Sequence, residues 1–285
     1  MDLDGNGTLD LLSGSYSRHS QDMAGLFQVL WGAEDGGFAK PEALQGTDGE
    51  PLILPGNERT ITDKICTRAF AADLDGDGKL DLVSGNFAGT FFVFAGEGEG
   101  RFAPEATRLL GADGSALRVS AHSDPFLVDW DRDGDLDLLS GSAQGGVYLS
   151  VNGGDAKKPS FAKPVALVEP AGYPEGTRMG DDFLTGPQHS TRVWADDLNG
   201  DGKLDLLVGD SITLHYPVEG IDDATAAARY EAWQEKESEL YDSYPADDDP
   251  EELEAFGLRR KALDEELETF LHVDVTGFVW VLHQK

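Results

Sequence analysis

Four copies of an acidic loop in this chain have the residue types and spacing of a metal site. The copies read DLDGNGTLD from Asp2, DLDGDGKLD from Asp73, DWDRDGDLD from Asp129 and DLNGDGKLD from Asp197. Each presents carboxylate or amide oxygens at positions 1, 3 and 5, a glycine at position 6 and an aspartate at position 9. Calcium takes about six to eight oxygen ligands, and the glycine permits the tight turn that aims them at one point. We therefore predict calcium-binding loops.

The predicted ligands are the side chains at positions 1, 3, 5 and 9, together with position 7, which offers its backbone carbonyl. In chain order the predicted metal residues are Asp2, Asp4, Asn6, Thr8, Asp10, Asp73, Asp75, Asp77, Lys79, Asp81, Asp129, Asp131, Asp133, Asp135, Asp137, Asp197, Asn199, Asp201, Lys203 and Asp205.

Two other interpretations fit the same residues. An EF-hand loop also begins with this pattern, but it needs a glutamate at position 12 and helices on both sides. Position 12 is occupied here by Ser13, Ser84, Ser140 and Val208. The loops could also be solvated turns without metal, because Asp, Asn and Gly favour turns for local reasons.

The spacing of the loops indicates a repeated β unit. The loops start 71, 56 and 68 residues apart, which suits a four-stranded propeller blade with long connections. An apolar run such as LLSG or LVSG follows each loop, and a glycine with an aromatic-rich run comes later. Three units then contain Phe-Ala-Pro or Phe-Ala-Lys-Pro, at Phe38, Phe102 and Phe161. Because proline cannot donate to a ladder, we expect this element to be the exposed outer strand.

These loops and runs resemble the FG-GAP and VCBS repeat proteins. The resemblance implies an all-β fold, an integrin-alpha-like β-propeller with calcium between the first and second strands of each blade. It also implies adhesion or binding of a protein or glycan, and an extracellular or periplasmic location. The chain lacks an opening strand before Asp2 and a visible signal peptide, so we expect four visible blades of a larger propeller whose start is truncated or misassigned.

The predicted blades cover residues 1–46, 65–110, 124–168 and 190–285, and together form one propeller. Residues 221–271 interrupt the last blade with an acidic segment of helical periodicity. Asp249 followed by Pro250 is a strong helix start. We therefore predict a helical-hairpin insertion between the second and third strands of that blade.

Composition limits the partners. The formal net charge of -32 argues against nucleic acid and anionic membrane surfaces, which require a basic protein surface. The chain has no apolar run long enough to insert into a membrane. Its single cysteine, Cys66, excludes an intrachain disulfide and is expected to be a small packed residue.

Strand order places the acidic loops on one face of a propeller and the connections into the first strands on the other. Those connections deliver Arg68, His122, His189 and Arg192 as the predicted ligand face. Arg118, Asp124, Tyr173 and Trp194 add polar and aromatic groups nearby.

Two function classes follow. The first is a non-catalytic calcium-binding module for protein or glycan, since the sequence contains no established catalytic motif. The alternative is a polysaccharide-active enzyme of lyase type, with His122 or His189 as base and Arg68 or Arg192 neutralising a uronic acid.

Overall fold

The computed structural model describes residues 1–16, 24–56, 60–155, 157–172, 176–245 and 249–285. The chain is mostly β-structure, with several small antiparallel sheets and two helices near its C-terminal end. It divides into two compact units. No helix within the described ranges is long and apolar enough to cross a membrane. Unit 1 contains Met1–Ala171, Pro187–Asp210 and Phe278–Lys285, and unit 2 contains Gly172–Gly186 and Ser211–Gly277.

In the described part of unit 1, four main sheets follow one another along the chain, numbered sheets 1 to 4, beside one small two-stranded sheet. Sheet 1 is formed by β1 (Leu11–Ser13), β2 (Gln28–Leu30) and β3 (Glu42–Ala43). Sheet 2 is formed by β4 (Arg68–Ala72), β5 (Asp81–Gly85), β6 (Phe91–Phe94) and β9 (Thr107–Arg108), with a separate hairpin of β7 (Gly96–Gly98) and β8 (Arg101–Phe102) before β9.

Sheet 3 has the same plan as sheet 2. It is formed by β10 (Asp124–Val128), β11 (Asp137–Gly141), β12 (Val147–Ser150) and β13 (Val165–Val168). Sheet 4 is formed by β14 (His189–Asp196), the first part of β15 (Asp205–Pro217) and β17 (Val279–Leu282). The acidic loops lie between the first and second strands of sheets 2, 3 and 4, and the first acidic loop precedes β1.

The apolar runs after loops 2 and 3 are strands that are buried on both faces, whereas β1, after loop 1, is partly exposed. In β5, Leu82 packs into the hydrophobic cluster shared with sheet 1, whereas its neighbour Val83 packs into the cluster shared with sheet 3. In β11, Leu138 and Leu139 divide in the same way between the clusters toward sheets 2 and 4. Alternate residues of a strand point to opposite faces, so a continuous apolar run is what a strand between two other sheets requires.

One contact joins each sheet to the next, and it recurs three times. A glycine at the end of β1, β5 or β11 lies against a buried Ser or Thr near the start of the next sheet. The pairs are Gly14 with Thr67, Gly85 with Ser123, and Gly141 with Thr191. A Cβ atom at any of these glycines would lie 2.0 to 2.1 Å from the backbone oxygen of its partner.

Hydrogen bonds close the same contact. The backbone N–H of Ser142 donates to Thr191 Oγ1 at 2.9 Å, and the Thr191 N–H donates back to the Ser142 carbonyl at 3.0 Å. The Thr191 hydroxyl in turn donates to the Gly146 carbonyl at 2.6 Å. Because no side chain fits between the two strands, glycine is required there.

The predicted outer strands are wrong in position. Phe102 and Phe161 are buried, and each forms a bridge back toward the end of the preceding strand instead of an edge. The outer strands of sheets 1, 2 and 3 are β3, β9 and β13, which begin after the proline. In sheets 2 and 3 the Phe-Ala-Pro element therefore anchors the turn before the outer strand, whereas Phe38 of the first element is 48% exposed. The physical reason is that burying a phenylalanine ring stabilises more than placing it at an exposed edge.

Unit 2 contains the two helices, within the segment where helical periodicity predicts them. Helix α1 spans Asp223–Asp242 and helix α2 spans Pro250–Glu268. Asp222 and Asp249 cap their N-termini by accepting backbone N–H groups, which satisfies donors that a helix start leaves unpaired. A two-stranded ribbon, in which residues 212–217 of β15 pair with β16 (Leu271–Thr276), completes the unit.

The two helices pack against each other through apolar side chains on one side of each helix. Trp233 is buried and its Nε1 donates to the Leu263 carbonyl at 2.8 Å, while Phe256 and Phe270 lie in the same cluster. The predicted helical hairpin thus has its own core. Tyr244 lies beyond α1 and is half-exposed against Phe256.

We predict that Gly141→Ala lowers the free energy of unfolding of unit 1 by about 1–3 kcal/mol, because a methyl group must displace the Thr191 backbone. Gly209→Ala is the matched control: Gly209 is the equivalent residue of sheet 4, and its Cβ would meet only Arg192 Cβ at 3.9 Å. Urea denaturation of both variants tests this. Equal loss of stability in the two variants would show that strand geometry matters and the sheet contact does not.

Candidate metal centres

Carboxylates converge in three of the four acidic loops. Positions 1, 3 and 9 each offer a ligand atom, and these atoms lie within 4.8 Å of one another. The clusters are Asp2, Asp4 and Asp10 in loop 1, Asp73, Asp75 and Asp81 in loop 2, and Asp129, Asp131 and Asp137 in loop 3. Strands rather than helices flank loops 2 and 3, so the EF-hand interpretation is wrong.

The first carboxylate of each loop is held by backbone N–H groups of the loop itself. In loop 2, Asp73 Oδ1 accepts from Asp77 N at 3.0 Å and Oδ2 accepts from Gly78 N at 3.0 Å. Gly78 has a φ of +88°, a conformation that side chains disfavour. The glycine at position 6 therefore lets the loop fold around its first ligand.

The last carboxylate of each loop is buried and ties the loop to the sheet. Asp137 Oδ2 accepts from Trp130 N at 3.0 Å, and its Oδ1 accepts from Asn152 N at 2.7 Å, just beyond the third strand. Asp10 and Asp81 make the equivalent pairs of bonds. Burial raises the pKa of Asp81 and Asp137 above the usual range of a carboxyl group.

Position 5 has a different role from positions 1, 3 and 9. Asp77 Oδ1 accepts the N–H of Lys79 at 2.8 Å, and Asp133 and Asp201 do the same for their own position 7. These residues lie outside the three-membered clusters. In loop 1, Asn6 Oδ1 accepts both the N–H and the hydroxyl of Thr8.

Loop 3 carries features that a cation would explain. The Oδ1 atoms of Asp129 and Asp135 are buried and have no hydrogen-bond partner within the described residues. Uncompensated buried carboxylate oxygens are costly. A hard cation bound by these oxygens would remove that cost, so the donor set fits calcium.

Asp135 is the residue that distinguishes loop 3. Position 7 is Thr8, Lys79 and Lys203 in the other loops, whereas Asp135 is an acid that is only 7% exposed. Burial, together with the negative charges of Asp133 and Asp137, raises the pKa of Asp135 to about 6. Loop 3 therefore concentrates more negative charge than any other loop.

Loop 4 departs from the pattern. Position 3 is an amide, Asn199, and among the described residues no three acids of this loop converge. His283 Nδ1 lies 3.0 Å from Asp205 Oδ2, at ion-pair distance but without hydrogen-bond geometry. Burial opposes the shift, yet His283 and the Gln284 N–H together lower the pKa of Asp205. Sequence reasoning missed His283, because nothing near it in sequence points to loop 4.

The predicted ligand-face residues fall into two groups. Arg68, the first residue of β4, and Arg192, within β14, lie on either side of Asp124, which begins β10. His122 lies close to both arginines, just before β10. Burial first, and then the charges of the two arginines, lower the pKa of His122. His189 is the first residue of β14 and its role stays a prediction.

Three further predicted residues are less central. Arg118 is exposed and forms a backbone bridge with Thr90. Trp194 lies on β14 and is half-exposed. Tyr173 lies outside the described residues. Cys66 is buried, as the sequence predicts for a packed residue, and burial raises the pKa of its thiol.

Residues 73–140 match the FG-GAP-like repeat family. This segment runs from loop 2 through loop 3 into β11, so the match covers both loops and the strands from β5 to β11 but not β4. No curated protein matches the chain significantly.

A solved structure, titled as the recognition of non-reducing terminal N-acetylglucosamine by an Agrocybe aegerita lectin, matches with 22% identity and a TM-score of 0.38. The match covers 74% of this chain and 47% of that one, so this chain spans about half of its length. At that TM-score the likeness carries no argument about fold or ligand.

Two variants of loop 3 should separate the structural role of Asp137 from the metal-binding role of the loop carboxylates. We expect Asp137→Ala to cost at least about 2 kcal/mol of stability with or without calcium, because two buried N–H groups lose their acceptor. Asp131→Asn, at exposed position 3, should reduce only the gain in stability that calcium gives. Thermal unfolding in chelator and in calcium measures both. Equal behaviour of the two variants in chelator would contradict the structural role of Asp137.

Asp135→Asn should weaken cation binding in loop 3 by about tenfold, or roughly 1.4 kcal/mol, because affinity follows the number of charged ligands. Terbium luminescence sensitised by Trp130, which occupies position 2 of this loop, measures it. Loss of the luminescence in Trp130→Phe assigns the signal to this loop. Asp113→Asn, which removes a carboxylate at an exposed turn, is the control and should leave terbium affinity unchanged. An unchanged terbium affinity would show that the Asp135 carboxylate does not face the ion.

Proposed function

We propose that this chain is a calcium-stabilised β-propeller segment built of FG-GAP-like repeats, and that it serves as a non-catalytic binding module for a protein or glycan. The observation that carries the proposal is the recurrence of one carboxylate cluster at one place in successive repeats. A cluster that arose from a solvated turn would have no reason to recur with the same buried ninth residue.

The way in which neighbouring sheets are joined supports a propeller. Sheets 2 and 3 are four-stranded and antiparallel, as propeller blades are. Each pair of neighbouring sheets shares a hydrophobic cluster and the contact between a glycine and a Ser or Thr. Blades arranged in this way would bring the first strands toward a common axis, as the contact between Phe70 and Phe126 supports.

Calcium would act as a structural ion in this proposal. The ligands of loops 2 and 3 sit between two strands of one sheet, and the ninth residue also holds the sheet. The ion would neutralise carboxylates that otherwise repel one another, in a chain of net charge -32. Sites of this kind suit a calcium-rich compartment, so we extend the proposal to an extracellular or periplasmic location.

The binding part of the proposal rests on the opposite ends of the first strands. Arg68, Asp124 and Arg192 gather there with His122, away from the acidic loops that follow the same strands. Scaffolds of this type carry recognition on the connections between rigid elements. The enzyme alternative finds no further support in these contacts and is not proposed.

Calcium removal tests the proposal. Saturating calcium should raise the free energy of unfolding by about 2.7 kcal/mol for each site filled to 100 times its Kd. Calorimetry in calcium and in chelator, with metal content measured in parallel, gives both stability and stoichiometry. Magnesium at the same concentration is the control, because it prefers a smaller octahedral site and keeps its waters. Identical melting curves in calcium and in chelator would rule out a stabilising calcium ion.

Ligand binding is tested with a glycan array, probed with and without calcium. We expect binding that is lost in chelator as the sheets loosen. If no glycan binds in calcium, glycan is rejected as the ligand and a protein ligand remains proposed.

A further inference from the structure

The first strands of sheets 2, 3 and 4 carry equivalent residues on one face. The first row of this face is Arg68, Asp124 and Arg192, and two residues further along each strand lies a second row of Phe70, Phe126 and Trp194. Residues two apart in a strand point to the same side. The ring centroids of Phe70 and Phe126 are 5.0 Å apart, and so are those of Phe126 and Trp194. The three strands thus form one continuous surface, which we call the first-strand face.

The charged row has more positive than negative charge. Asp124 lies between two guanidinium groups, with Oδ1 3.9 Å from Arg68 Nε and Oδ2 3.5 Å from Arg192 Nε. Both contacts use Nε at distances longer than a hydrogen bond, so neither arginine forms a bidentate pair with Asp124. One carboxylate therefore serves two arginines and leaves a net positive charge in a strongly acidic chain.

Each guanidinium group also keeps free donors. Arg192 Nη1 donates to the Ser190 and Thr191 carbonyls at 3.3 and 2.9 Å, and Arg68 Nη1 reaches the Thr67 carbonyl at 3.5 Å. No hydrogen bond from Nη2 of either arginine occurs in the described part of the chain. The side chains of Arg68 and Arg192 are 27% and 37% exposed. These donors can therefore reach a ligand from solvent.

The aromatic row supplies an apolar platform beside that charge. Trp194 is 54% exposed although its ring lies against that of Phe126 at an interplanar angle of 56°. It lies on the same side of β14 as Arg192, about 7 Å further along the strand. A flat exposed ring next to a guanidinium group matches a ligand that joins a carboxylate to a ring with an apolar face. A six-membered sugar acid has this shape, whereas an acidic peptide side chain has the carboxylate without the rigid ring.

We propose that the first-strand face binds a uronic acid residue of a saccharide, with its carboxylate on Arg68 and Arg192 and its sugar ring on Trp194. The inference rests on the binding function proposed above and names the ligand class for it. Guanidinium groups bind carboxylates in a fork, which selects a planar anion over a neutral hydroxymethyl group. The long-range negative charge of the chain would oppose long polyanions, so a single terminal uronic acid is the ligand that the site favours.

The test uses calcium-saturated protein and a tetrasaccharide that ends in one glucuronic acid. Its carboxyl-reduced form, which ends in glucose, is the matched neutral ligand. We expect the acid to bind about tenfold more tightly than the neutral form, as a charge-assisted contact would give. Isothermal titration and ligand-observed NMR provide the affinities. Equal binding of the two forms would overturn the proposal.

Variants identify the site. Arg192→Gln and Arg68→Gln should each remove most of the preference for the acid, whereas Trp194→Ala should weaken the acid and the neutral form alike. Arg192→Lys keeps the charge beside Asp124 but loses the fork, so it should fold normally and still lose preference. Arg101→Gln changes an exposed arginine of β8 and is the control. Unchanged affinity in Arg192→Lys and Arg192→Gln would overturn the assignment.

The outcomes separate this inference from the proposed function. If the arginine variants bind the glycan array as well as the unchanged protein does, the binding function is supported and this site is rejected. Binding of a peptide with a terminal glutamate, dependent on Arg192 and without saccharide binding, would reject the uronic acid. Failure of every saccharide to bind a protein that responds normally to calcium would reject both the uronic acid and the glycan half of the proposed function.

Discussion

The buried carboxylate that ends loops 1, 2 and 3 is the interaction on which the structure depends. Its two oxygens accept backbone N–H groups from two separate places, the start of its own loop and the chain just after the third strand. The same group lies within reach of the first and third carboxylates. Folding of the sheet and assembly of the metal site are therefore one event, since neither can form while this aspartate is misplaced. The raised pKa of Asp81 and Asp137 records the cost of placing the charge there.

Close approach between sheets follows as a second constraint. The contact of a glycine with a Ser or Thr sets how near each sheet lies to the next, because it excludes any side chain. It also explains why β5 and β11 carry consecutive apolar residues, since both of their faces are then covered. In sheet 4, Gly209 has only Arg192 Cβ near its own Cβ direction, at 3.9 Å. The need for glycine is thus a property of the boundary between two sheets, and the LLSG sequence pattern alone does not create it.

Much of this could be predicted from the sequence, for physical reasons. The loops, the strands beside them and the capped helices follow from local chemistry: ligand spacing, apolar runs and helix-start residues. The position of the outer strands could not be predicted, because a proline fits an edge strand and the turn before that strand equally well. Only the burial of Phe102 and Phe161 decides between the two. The ribbon formed by β15 and β16 was missed because its partners lie far apart in sequence, although Ile212 and Leu214 alternate with polar residues. The convergence of Arg68, Asp124 and Arg192 needed the packing of three sheets.

Each first strand connects two regions of opposite charge. In sheet 2, β4 begins at Arg68 and ends directly before loop 2, and β10 and β14 run in the same sense from the charged row toward their own acidic loops. A five-residue strand such as β4 separates its ends by about 13 Å, which exceeds the screening length of about 8 Å at physiological ionic strength. The arginines are therefore not neutralised by the carboxylates of the loops, and the loops keep their full charge for a cation. This separation lets one short strand support a cation site at one end and an anion site at the other.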